Sequence, residues 1–255
     1  MLGKLLKYDF RSMFRVFLPL WGALLAISFV NRLTLNSDRM GIPGVVLFIA
    51  YMGIIFAVMA VTLVLVVQRF YSGLLKSEGY LMFTLPVKPW QLIASKGISS
   101  MVVTILSAFM AVLSVLIIAQ QPMNLPDLRE LLNGFRGIGG DAIMMLILIV
   151  LLILTAALTS VTHIHASLAL GHLANSHRIA WSVGAYVGIN MLFTAIAGAV
   201  IRFTDQHHFY LELDSLDAIP ILNIILLCMV LVNILQIAVF FVTTERILSK
   251  RLNLE

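Results

Sequence analysis

The sequence predicts an all-α membrane protein of six transmembrane helices, preceded by an N-terminal interfacial amphipathic helix and with both termini cytoplasmic. Three observations predict it. The composition is too apolar for a water-soluble fold, six stretches of spanning length carry almost no charge, and Lys and Arg are distributed unevenly around them.

Of the 255 residues, 61% are hydrophobic and 11% are charged. A soluble domain carries roughly 45–50% apolar and about 25% charged residues. Lipid must therefore solvate much of the surface. The length fits one compact membrane domain and leaves little for a second, soluble one. The single cysteine, Cys228, lies in an apolar run, which excludes an internal disulfide. The net charge of +5 fits basic residues flanking spans better than a nucleic-acid surface.

Residues 1–15 come first. Lys4, Lys7, Arg11 and Arg15 recur at helical spacing on one face, with Leu2, Leu5, Leu6, Met13 and Phe14 mainly on the other. This predicts a helix lying along the cytoplasmic leaflet. The six-span transmembrane domain is expected over 16–245, with a cytoplasmic tail over 246–255. No small-x-small cleavage site follows Val30, so an uncleaved first helix is expected.

A transmembrane helix needs about 20 predominantly apolar residues. Six stretches qualify: 16–33, 44–67, 98–119, 142–168, 181–201 and 219–242. None contains Asp or Glu, and Arg32 at the edge of the first is their only basic residue. An intramembrane charge costs about 2.5–3.5 kcal/mol even on the lenient insertion scale, so the charge-free pattern is informative. Twelve of the Lys and Arg residues fall on the side of the termini and five on the other, which orients that side toward the cytoplasm. The connection 120–141 reads as a short helix and a glycine-rich return, and 203–218 as an acidic loop holding His207 and His208.

The loop over 69–96 is the informative connection. Tyr80, Leu81, Met82, Phe83 and Leu85 form a nearly contiguous apolar cluster, which usually marks a partner or membrane contact. Gly79 permits a sharp break, Pro86 stops one element, and Pro89 can open the next at its first helical position. Two short helices joined by a bend are expected.

The run Glu78-Gly79-Tyr80-Leu81-Met82-Phe83-Thr84-Leu85-Pro86-Val87, followed by Trp90-Gln91-Leu92 and Lys96, resembles the signature after the second span of type-2 ABC exporter permeases. The six-span layout, the basic N-terminal helix and the stretch from Gly171-His172-Leu173 to His177-Arg178 are similar to that family too. The resemblance implies a permease that works as a dimer with a second permease copy, identical or different. Each half would dock one ABC-type ATPase subunit. Glu78, Gly79, Tyr80, Leu81, Met82, Phe83 and Pro86 would form the ATPase-coupling element, and ATP and Mg would sit on the partner subunit. The family usually also has short re-entrant helices between the fifth and sixth spans. Consistent with ATP bound elsewhere, no G-x-x-x-x-G-K-[ST] phosphate loop occurs in the chain.

Other residues carry less. His163 and His165, at i and i+2, point to different faces of a helix and make a poor metal pair. Gly184-x-x-x-Gly188 matches a close-packing motif, either between two copies or within one. Thr159, Asn190 and Asn233 could line a substrate path, and interhelical hydrogen bonds of about 0.6 kcal/mol each are the alternative use. Trp21, Trp181 and Tyr186 read as interface anchors. A secondary transporter would ordinarily need an intramembrane carboxylate, and a membrane enzyme a nucleophile–base pair; the spans supply neither. A noncatalytic scaffold is the remaining competitor. The apolar spans favour an amphipathic or hydrophobic cargo.

Overall fold

The structure is a computed structural model and describes residues 2–36, 42–75, 89–119, 139–174, 176–206 and 218–250. These residues form six α-helices: α1 (Leu2–Asn36), α2 (Ile42–Phe70), α3 (Pro89–Ile118), α4 (Gly140–Gly171), α5 (Arg178–Gln206) and α6 (Ala218–Lys250). A π-helical turn, Tyr71–Leu75, continues from α2. No strand occurs among the described residues.

All six helices are long and apolar enough to cross a membrane, the architecture of a multi-pass membrane protein. The shortest have 29 residues. At 1.5 Å per residue that is about 44 Å, longer than a hydrocarbon core of about 30 Å. Each helix therefore overruns the apolar stretch it contains, and the ends that project carry most of the charged side chains.

The segment 2–15 is continuous with the first span in α1. One buried stripe explains the continuity. Asp9, Met13, Phe17, Trp21, Leu24, Ser28 and Asn31 are all buried, at steps of three and four residues along a single face. Lys4, Lys7, Arg11 and Arg15 are exposed. Pro19 lies within the helix, where it deprives the Arg15 carbonyl of a backbone donor.

The chain divides into two compact units. The first holds α1, α2 and α3, with α1 packed on both others. Its core is Met13, Phe17, Trp21, Leu24, Tyr51, Val58 and Val103. In lipid, apolar helices gain nothing by meeting one another, so close packing and interhelical hydrogen bonds must hold them. Both are present. The Trp21 indole N–H donates to Ser107 Oγ at 3.2 Å, and Thr62 Oγ1 also lies 3.2 Å from that oxygen. Tyr51 and Ser114 pair at 3.0 Å, and Asn31 Nδ2 donates to the Leu47 carbonyl at 3.1 Å. Trp21 is thus a core residue rather than the interface anchor its type suggested, because its indole N–H has a partner inside the unit. Trp181, 62% exposed, keeps a surface position.

The second unit holds α4, α5, α6 and the π-turn, with α4 packed on α5 and α6. Asn223 Nδ2 donates to the Asp141 carbonyl at 2.9 Å, and Thr159 Oγ1 to the Asn233 carbonyl at 3.3 Å. His163 is buried with its ring stacked on Tyr186 (centroids 4.4 Å) and Phe240 (4.9 Å). Where α4 ends and α5 begins, the backbones approach so closely that a Cβ on Gly171 would collide with the Ser182 backbone. The turn between them passes through His177, whose φ of 51° lies in the left-handed region.

Candidate functional site

The coupling residues expected from the sequence, Glu78, Gly79, Tyr80, Leu81, Met82, Phe83 and Pro86, lie outside the described residues, as do His207 and His208 and most of the two connections 120–141 and 203–218. Both stems of the 69–96 loop are described. On the leading side, Arg69 and Phe70 close α2, and the π-turn follows with Gly73, Leu74 and Leu75 buried. Turns of this kind interrupt the regular hydrogen-bond ladder and recur at functional sites. On the trailing side Pro89 is the first residue of α3, as its missing N–H favours. Residues 89–96 are not a separate short helix: they are the first two turns of α3, with Leu92, Ile93, Ser95 and Lys96 buried.

The trailing stem carries an ion pair. Lys96 Nζ lies 2.5 Å from Asp9 Oδ1 on α1, and both side chains are 8% exposed. Arg69 Nη1, from the leading stem, lies 4.0 Å from the same oxygen, and Arg69 also donates to Ser12 Oγ. Three helices thus converge on one carboxylate. Sequence reading passed over Asp9. The signal available was its phase: it is the sole acidic residue in 1–37, and it falls in line with Met13 and Phe17 rather than with the basic ridge. A carboxylate on the buried face of a helix requires a partner, because an unpaired buried charge costs several kcal/mol.

A second contact involves the other stretch that carries the family likeness. The Tyr71 ring meets the His172 ring edge-on at 6.1 Å. Arg178 Nη1 lies 3.2 Å from His172 Nε2. A guanidinium only donates, so this nitrogen is the acceptor and the ring is neutral. Burial, and then the Arg178 charge, hold the His172 imidazole below its ordinary range.

The other residues singled out divide between two places. Thr159 and Asn233 meet across α4 and α6, where Asn233 Nδ2 also reaches Thr155 Oγ1 at 3.5 Å, so both serve interhelical hydrogen bonds. Asn190 is elsewhere, on the exposed face of α5, its amide turned back to the Tyr186 carbonyl at 3.1 Å. Gly184 and Gly188 are exposed, and among the described residues a Cβ on either would meet nothing within 4 Å. The close approach within this unit uses Gly171 instead. Along α5, Tyr186, Asn190, Thr194, Gly198 and Arg202 recur every four residues beside an open groove of about 950 Å³. The most apolar 18-residue stretch of this helix buries none of its residues.

Compared with known proteins, the chain matches no family model, no curated protein and no solved structure.

Proposed function

We propose that this chain is the transmembrane permease subunit of an ATP-driven ABC exporter of the type-2 class, docking a separate ATPase subunit through its cytoplasmic 69–96 loop. The observation that carries the reading is the apolar, proline-bounded run from Glu78 to Val87 between the second and third spans. An apolar cluster in a water-facing loop calls for a covering partner. The stems on either side support a force-bearing role: each ends a long helix, and each is anchored by buried groups. The chain has no phosphate-binding loop, so ATP would be hydrolysed by the partner. The cargo class that suits the apolar spans is amphipathic or hydrophobic.

The exposed face of α5 supports the second half of the proposal, a dimer of permease subunits. Among the described residues the side-chain oxygen of Asn190 and the Thr194 hydroxyl meet no partner, and hydrocarbon offers none, whereas a second copy or a polar cargo does. Gly184 and Gly188 leave room for a helix to approach.

Affinity purification in mild detergent, with mass spectrometry of the co-purifying chains, tests the reading. A stoichiometric soluble subunit bearing a G-x-x-x-x-G-K-[ST] loop is expected. A chain that purifies alone, and does not respond to added ATP, favours a scaffold or a gradient-driven transporter instead.

A further inference from the structure

The carboxylate of Asp9 joins the two ends of a loop that sequence alone shows only as a separate element. Arg69 is the penultimate residue of α2, and Lys96 lies in the second turn of α3. Both cations approach the same oxygen, Asp9 Oδ1, at 4.0 and 2.5 Å. Asp9 is 6% exposed and Lys96 7%. The carboxylate belongs to neither stem but to α1, the helix on which both α2 and α3 pack. Arg69 makes a further contact to α1 through Ser12, one turn along from Asp9.

An apolar contact at this position would hold the helices together while letting them slide. A buried ion pair behaves differently, since any displacement that separates the charges leaves them uncompensated in a poorly solvated site. It therefore fixes register and azimuth more sharply than it adds stability. The phase of the rest of α1 follows from it: Met13, Phe17, Trp21 and Leu24 continue the Asp9 stripe into the membrane core of the first unit.

We propose that Asp9 is a positioning residue for the 69–96 loop, a clamp that locks both loop stems to α1 so that a displacement of the loop moves the first span with it. The part played by an ATPase rests on the function proposed above; the clamp does not.

The test compares three variants of the full chain: Asp9→Asn, Asp9→Glu, and the double change Asp9→Leu with Lys96→Met. The double change replaces the pair by apolar groups of similar bulk and guards against simple misfolding. Hydrogen exchange in detergent reads the stems directly. Asp9→Asn is expected to speed exchange at 66–75 and 89–96 by at least about tenfold and to leave α4 to α6 unchanged, with Asp9→Glu close to the parent. The second readout is the ATPase rate of the co-purified complex in nanodiscs. In the double variant the ATPase subunit stays bound, but the rate falls to that of the subunit alone. Unchanged stem exchange in Asp9→Asn overturns the clamp. A double variant that matches the parent rate also overturns it, by reducing the pair to packing. If no ATPase subunit accompanies the parent chain, the proposed function fails while hydrogen exchange still decides the clamp.

Discussion

In the first unit several polar side chains of the helix seams reach across to another helix, Trp21 and Thr62 to Ser107, Tyr51 to Ser114, Asn31 to the Leu47 carbonyl and Asp9 to Lys96, while Ser28, Ser95 and Ser99 bond to their own helix. In the second unit the seam between α4 and α6 does the same, but α5 carries a stripe of polar and small residues on an exposed face, where the Asn190 amide donates to the Tyr186 carbonyl of its own helix. Both units face the same rule, that polar groups in hydrocarbon must find partners. The first meets it largely across its own helix seams. The other leaves a polar stripe on an exposed face of α5, the face on which the proposed copy–copy contact rests.

This contrast can be broken most severely at the ion pair. Lys96→Ala removes the nearer cation from the buried Asp9 carboxylate and leaves only the more distant Arg69, so a loss of up to about 3–5 kcal/mol is expected in the first unit. Reversible unfolding in mixed micelles measures the loss. Gly171→Ala strikes the second unit where α4 and α5 touch. The added methyl has backbone in front of it rather than a flexible side-chain tip, so a loss of about 1–3 kcal/mol is expected by the same assay.

The paired change Gly184→Leu and Gly188→Leu separates a face that is open from one that is packed. A Cβ on either glycine meets none of the described residues, so the change should not destabilise the fold, and the better helix propensity of Leu stabilises it by up to about 1 kcal/mol per site. Association of two copies, read by mass photometry in nanodiscs, should weaken clearly. Unchanged association would overturn the proposed copy–copy contact through this face.

The smallest effect concerns pH. The folded chain holds the His172 imidazole below its ordinary value near 6.5, so on acidification the unfolded chain takes up the proton first. The contribution is complete above about 6.5 and is lost as pH falls from there toward the lowered folded value. Melting temperatures of the parent should therefore decline below that pH, and His172→Gln should flatten the decline.

The six spans were legible because length and hydropathy are properties of a continuous stretch, and α1 to α6 contain all six to within one residue, Ala119 lying just past the end of α3. The loop over 69–96 was legible as an apolar anomaly, and Pro89 as a helix start. What lay beyond reach depends on rotation about helix axes and on distant pairing. Trp21 has the composition of an interface anchor, and only the phase shared with Met13, Phe17 and Leu24 turns it inward. Asp9 and Lys96 are 87 residues apart. Gly171 and Gly184 look alike in sequence, yet one faces a neighbouring backbone and the other open space. The extension of α1 through 2–15 follows from the same missing information, since a basic ridge is compatible with a helix lying on the leaflet or rising out of it.

The most direct test of the coupling account is photocrosslinking from the loop itself. A photoreactive residue placed at Met82 in native membranes is predicted to capture a soluble subunit bearing a phosphate-binding loop, and Glu78→Arg in the same chain to abolish the capture without lowering the amount of the membrane protein. Capture of lipid alone, or of that subunit undiminished by the Glu78 change, would contradict docking through this loop.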